Sequence, residues 1–254
     1  MRPVTPPRPI KLLAKRMLQR TTPLVFGSVP IASWPPLMAR IHDISLPRAV
    51  VPNPEPLPIG IANINILIRL LDQTRNVAGD VAECGVFQGH SLVSMACYLK
   101  QNGISRTVYG FDSFEGFGES VSGDLTLGGT HPEWKQAGAM NETSLELVQS
   151  KATRFGLKNV KLVKGFFANT LPAYSNLTFS LVHLDCDTYD SYRECIEFFY
   201  PRMSPGGVIL LDEYNDPPWP GCNKALDEFL EDKPEKLQMM CLDNHEKYYL
   251  VKQG

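Results

Sequence analysis

In the stretch LVHLDCDTYD, residues 181–190, an apolar run stops at three acids, Asp185, Asp187 and Asp190. A second apolar run, GVILLDEY, stops the same way at Asp212 and Glu213. Neighbouring strands lie about 4.8 Å apart, so carboxylates at two adjacent strand ends converge on one point. Left alone, such acids raise each other's pKa; a divalent cation removes that penalty. An all-oxygen set suits Mg²⁺, with Mn²⁺ or Ca²⁺ as alternatives, rather than zinc. The expected metal ligands are Asp185, Asp212 and Glu213. Asp187, two residues beyond Asp185, can sit beside the metal without binding it, where a general base takes a proton from a hydroxyl. Asp190 is expected to cap a helix starting at Ser191. His183 reads as a packing residue alternating within a buried strand. Each acid taken singly also fits a helix cap or a solvated rim; only the set points to a metal.

A second constellation lies upstream. AECGVFQGHS places Gly85 and Gly89 in a strand-to-helix turn, and Asp112 follows Gly85 by 27 residues. Glycine in such a turn lets the backbone approach a ligand closely. An acid at the end of the next strand can accept both ribose hydroxyls of a nucleoside. Phe87 stands where a dinucleotide fingerprint needs its second glycine, and Glu83 suits an ammonium or sulfonium better than a pyrophosphate. S-adenosylmethionine is therefore favoured over a nicotinamide dinucleotide. The expected cofactor residues are Glu83, Gly85, Phe87, Gly89 and Ser91 around the first turn, Asp112 after the second strand, and Asp185 at the fourth. A helix cap at Glu83 and a turn former at Asp112 are the plainer readings.

The elements that must position these residues follow in regular order. Helical spacing covers Ile61–Leu71, Ser91–Lys100, Leu145–Phe155, Ser191–Tyr200 and Asn223–Leu230, with Asn141 or Thr143 expected to cap the third of these. Strand patterns cover Asp80–Gly85, Arg106–Asp112, Val160–Gly165, Phe179–Asp185 and Gly207–Asp212, and two further β-type runs, Leu237–Leu242 and Lys247–Val251, close the chain. Strands alternating with helices predict an α/β fold: a mostly parallel, seven-stranded sheet with helices on both faces. Ligands in such folds sit beyond the carboxyl ends of the strands, where all the residues named above fall.

The chain has 254 residues, enough for one α/β domain with a full core. Its net charge of −2 argues against nucleic acid as a partner. The longest apolar candidate, Pro23–Ala39, is broken by prolines, so neither a membrane span nor a signal-peptide core is expected, and the expected location is cytoplasmic. The six cysteines form no CxxC pair and read as single, reduced, buried thiols. Residues 1–58 form a separate unit, a basic and proline-rich arm and linker, preceding a catalytic domain over residues 59–254. From Met1 to His42 there is no acid, while Arg2, Arg8, Lys11, Lys15, Arg16, Arg20 and Arg40 are present. The arm fits packing on the body or on a second subunit; contact with an anionic membrane surface is the alternative.

The segments GDVAECGVFQGHS, VYGFDSFEGFGE, VKLVKGFFANTLP, LVHLDCDTYDS and SPGGVILLDEYNDPPWPGCNKALDEF together resemble the macrocin O-methyltransferase family, over most of residues 79–230. The resemblance implies a Rossmann-like class I methyltransferase sheet with a final antiparallel strand. It implies methyl transfer from S-adenosylmethionine to a hydroxyl of a sugar or sugar-containing metabolite, cofactor contacts at Glu83, Gly85, Gly89, Asp112 and Ser113 and near Phe166, metal ligation by Asp185, Asp212 and Glu213, and a base at Asp187. It further implies a homo-oligomer in which the N-terminal segment and a loop, here about Gly118 to Asn141, help to close the site. Family members tend to carry two adjacent aspartates where this chain has Asp212–Glu213. A catechol or phenol acceptor on the same carboxylates, a nicotinamide-dependent dehydrogenase, and a binding module without turnover are the alternative readings.

Overall fold

The computed structural model describes residues 58–118, 124, 127, 138–242 and 245–254. The basic arm, and most of the loop expected over residues 118–141, lie outside them. Among the described residues no helix is long and apolar enough to cross a membrane.

The elements are α1 (Pro58–Gln73), β1 (Asp80–Cys84), α2 (His90–Gln101), β2 (Val108–Asp112), α3 (Leu145–Arg154), β3 (Val160–Lys164), a single turn α4 (Phe167–Thr170), β4 (Phe179–Leu184), α5 (Tyr189–Phe199), β5 (Met203–Leu211), α6 (Pro220–Leu230), β6 (Gln238–Leu242) and β7 (His245–Val251). They build one seven-stranded sheet of order β3-β2-β1-β4-β5-β7-β6. The first five strands are mutually parallel, and β7 runs antiparallel to both its neighbours. Strand order reverses between β1 and β4, the point at which such sheets open a crevice.

The central strands read as nearly continuous apolar runs because both of their faces are covered. Side chains alternate between two cores. Val81, Leu181 and Leu210 pack with α1, α2 and part of α3. Ala82, Cys84, Leu184 and Leu211 pack with α5 and α6. Helix α5 shows why it lies where it does: Tyr192, Cys195, Ile196 and Phe199 recur on one face and are all buried.

Three local expectations are corrected. The cap of α5 is Thr188, whose hydroxyl accepts from Ser191 N; Asp190 already lies inside the first turn, 3.5 Å from Arg193. The cap of α3 is Ser144, accepting from Leu147 N, while the Thr143 hydroxyl donates to the Phe87 carbonyl. One thiol is not buried: Cys241 is exposed, while the other five are free and buried as expected.

Candidate active site

Register brings the acids together. Cys84 pairs with Leu184, and Leu184 with Leu211. The ladder runs one step further, with Asp185 N donating to Cys84 O and Asp212 N to Leu184 O, both at 2.9 Å. Gly85, Asp185 and Asp212 thus follow side by side at the strand ends. A Cβ on Gly85, which has φ +84°, would run into the backbone oxygen of Asp185. The glycine is needed first for this contact between strand ends, and a Cβ on Gly89 would come within 2.6 Å of Val148. Helix and strand packing demands both glycines, whether or not a ligand lies against the turn.

A cavity of about 630 Å³ opens beyond β1–β4, within the range of small-molecule sites. Gly85, Phe87, Asp112, Ser113, Phe166, Asp185 and Asp187 all line it; Glu83, Gly89 and Ser91 do not. Asp112 braces the turn, accepting from Val86 N and Phe87 N on one oxygen (2.7 and 2.8 Å) and from Phe114 N on the other (2.6 Å). Phe87 itself sits at φ 46°, which a bulky residue rarely adopts. Lys151 Nζ donates to Gln88 O at 2.6 Å and holds this turn from α3. The Ser113 hydroxyl donates to Gly116 O in a tight turn. Phe166 is 44% exposed, an uncovered aromatic face at the cavity wall.

Asp187 is set by a strained backbone. Its φ is +62°, and Thr188 N donates to Cys186 O at 2.6 Å, closing a three-residue turn around it. Such γ-turns with positive φ are rare, and strain of this kind clusters at functional sites.

Carboxylate oxygens of Asp185, Asp212 and Glu213 lie within 4.8 Å of one another. Burial and then the Asp212 charge raise Asp185 to about 7. Burial and the charges of Asp185 and Asp212 hold Asp187 well above the usual carboxylate range, and Glu213 is raised by burial and by Asp185 and Asp187. Asp212 goes the other way: burial opposes its charge, but Lys247 at 2.8 Å and His183 outweigh it and lower the pKa. The Tyr192 hydroxyl touches both Leu184 O, at 2.8 Å, and Glu213 Oε2. It has one proton to give. It donates that proton to one of the two oxygens at a time.

Three contributors had no role in the sequence reading. His183, 3% exposed, holds Glu83 Oε1 at 2.9 Å through Nδ1 and Asp212 Oδ1 at 3.3 Å through Nε2. Burial disfavours its charge, yet hydrogen bonds to Asp212 and Glu83 raise its pKa to about 10. Lys247 donates to the Asp212 carbonyl and carboxylate. Tyr192 holds Glu213 from α5. The available signal was parity: Glu83, His183 and Asp185 alternate onto one face, and Lys247 falls opposite Asp212 once β7 pairs with β5. Tyr189 and Tyr214 point to Glu228 and Asp227 on α6, and Trp219 packs against Phe117; none of the three lines the cavity.

Sheet order, crevice and carboxylate placement define a Rossmann-like fold of the class I methyltransferase type, and solved structures agree. The O-methyltransferase NovP superposes with a TM-score of 0.66 at 25% identity, covering 78% of this chain and 82% of that one. The calicheamicin methyltransferase CalS11 shares the fold over 97% of this chain and 94% of its own, with a TM-score of 0.60 at 20% identity. The chain belongs to the macrocin-O-methyltransferase (TylF) family, whose model matches residues 59–250. It is 30% identical over 177 residues to mycinamicin III 3''-O-methyltransferase of Micromonospora griseorubida, covering 67% of this chain and 68% of the relative. It is 33% identical over 141 residues to a tetracenomycin-C rhamnosyl 4'-O-methyltransferase of Streptomyces olivaceus, covering 54% of each. The chain thus spans about half to two thirds of the length of these curated relatives. Membership of a methyltransferase family leaves the nicotinamide reading without support.

Proposed function

We propose that this chain is an S-adenosylmethionine-dependent O-methyltransferase that uses a divalent cation, Mg²⁺ or Mn²⁺, and acts on a hydroxyl of a sugar or sugar-containing metabolite. The observation that carries the reading is the double position of Asp185, which lines the cavity and also belongs to the oxygen cluster with Asp212 and Glu213. One relative has a rhamnosyl group in the name of its substrate.

The residues present fit both groups. For the cofactor there is a cavity of suitable volume, with Asp112 and Ser113 on its wall, the exposed Phe166 ring for an adenine face, and Gly85 keeping the turn free of side chain. S-adenosylmethionine supplies an electrophilic methyl group on a sulfonium. For the metal there is an all-oxygen set in which burial and mutual repulsion disfavour charge on Asp185 and Glu213, while Lys247 and His183 favour it on Asp212. Mg²⁺ supplies charge that lowers the pKa of nearby hydroxyls and carboxyls alike. Asp185 and Asp212 hold it, with Glu213 alongside, one of its oxygens kept inward by Tyr192.

The chain's own residues then do three things. The cavity wall holds donor and acceptor in one line, which supplies much of the acceleration. The γ-turn presents Asp187 to the cavity next to Asp185, so its carboxylate takes the acceptor's proton as the methyl is transferred. Burial and the neighbouring acids oppose that ionisation, and a cation held by Asp185 and Asp212 would relieve the opposition. Purified protein should transfer labelled methyl to glycosides with free hydroxyls only when Mg²⁺ is added. Transfer that survives both a chelator and Asp185→Ala would overturn the metal assignment; transfer to catechols alone would move the acceptor class.

A further inference from the structure

Glu83 ends in an unexpected place. Its side chain is fully buried in β1, away from the cavity, and its Oε2 has no hydrogen-bond partner. In register with it on β4 stands His183. Resting on the metal reading above, we infer that Glu83 and His183 are positioning residues for the metal side: Glu83 fixes the ring of His183, and His183 fixes Asp212.

Both ring nitrogens are committed, Nδ1 to Glu83 Oε1 at 2.9 Å and Nε2 to Asp212 Oδ1 at 3.3 Å. Although Glu83, His183 and Asp185 lie close enough to form a ligand set of their own, a nitrogen engaged with a carboxylate does not ligate. His183 therefore stands behind the metal ligands. Lys247 grips the other oxygen of Asp212 at 2.8 Å. The Asp212 carboxylate is thus held on both sides, by β4 and by β7, and its rotation is fixed before any cation arrives. Hydrogen bonds of this outer kind set ligand orientation, and losing one weakens metal affinity about 10- to 100-fold. The row Glu83–His183–Asp212–Lys247 crosses four adjacent strands on one face of the sheet, so rigid backbone ladders hold it. The inference moves Glu83 from the cofactor to the cation.

Mn²⁺ titration by electron paramagnetic resonance, with S-adenosylhomocysteine titration by calorimetry, tests this on the full chain. His183→Gln keeps a donor where Nε2 stands, and His183→Asn keeps one only where Nδ1 stands. Glu83→Ala and His183→Asn should each weaken Mn²⁺ binding about 10- to 100-fold while S-adenosylhomocysteine binding changes less than about twofold. His183→Gln should restore most of the Mn²⁺ affinity. Wild-type Mn²⁺ affinity in both Glu83→Ala and His183→Asn would overturn the inference, as would Glu83→Ala losing S-adenosylhomocysteine and not Mn²⁺. Should these variants not fold, nitrogen-15 resonances of the His183 ring in the unaltered chain decide: they must shift on addition of Mg²⁺, and unmoved resonances refute the link. A wild-type chain that binds no Mn²⁺ would sink the metal reading itself, a result distinct from either.

Discussion

Asp187 occupies a backbone conformation, φ +62°, that costs about 1–3 kcal/mol. The γ-turn aims a carboxyl into the cavity beside Asp185. Asp187→Asn keeps that geometry and removes the base. It should leave S-adenosylhomocysteine and Mn²⁺ binding in place and lower kcat by about 100-fold or more, read by labelled-methyl transfer under saturating substrates. Asp185 gives a prediction in pH. Its pKa rises from 3.8 to about 7 on folding, so between those values the folded chain binds more protons than the unfolded one. Metal-free stability contributed by this group is therefore lost as pH rises from about 4 to 7. Melting temperatures in chelator should fall less steeply over that range in Asp185→Asn than in the unaltered chain. Equal slopes would mean that the carboxyl titrates normally.

The strand-to-helix turn after β1 is where elements meet most tightly. Gly85 faces the Asp185 backbone and Gly89 faces Val148, while Lys151 and Thr143 grip the turn's carbonyls from the α3 side. Gly85→Ala sets a Cβ against main chain at φ +84°, so nothing flexible can yield. A loss of at least about 3 kcal/mol is expected in urea unfolding, with Asp185 and the cofactor cavity disturbed together. The cap of α3 is a milder case. Ser144→Ala removes the acceptor for Leu147 N and should lower stability by about 1 kcal/mol without changing the Mn²⁺ affinity, since α3 touches the glycine turn and not the acid cluster.

For the whole molecule, the two ligands should act as separate stabilisers of one fold. S-adenosylhomocysteine at about 100 times its Kd adds about 2.7 kcal/mol, which for a chain of this size raises Tm by about 5–10 °C. Mg²⁺ should add a second increment that a chelator reverses and Asp185→Asn abolishes. NAD should add none. A melting series with each ligand alone and both together reads all three results, and a rise with NAD equal to that with S-adenosylhomocysteine would undo the choice of cofactor.

Local sequence was enough for whatever depends on neighbours along the chain. The strands announced themselves as apolar runs ending in acids, because a doubly covered strand is apolar throughout and the polar residues fall where it leaves the sheet. That carried the α/β class, the strand ends and the gathering of Asp185, Asp212 and Glu213. Pairing across the sheet decided the rest. Glu83 and His183 are 100 residues apart, and only the β1–β4 register makes them partners. Asp212 and Lys247 meet because β7 folds back antiparallel beside β5. Glu213 differs from Asp212 in role because Tyr192, from the helix between β4 and β5, holds its carboxyl inward. A hydrogen bond between distant residues leaves no periodic trace in sequence, since its geometry comes into being only when separate strands fix one another's offset.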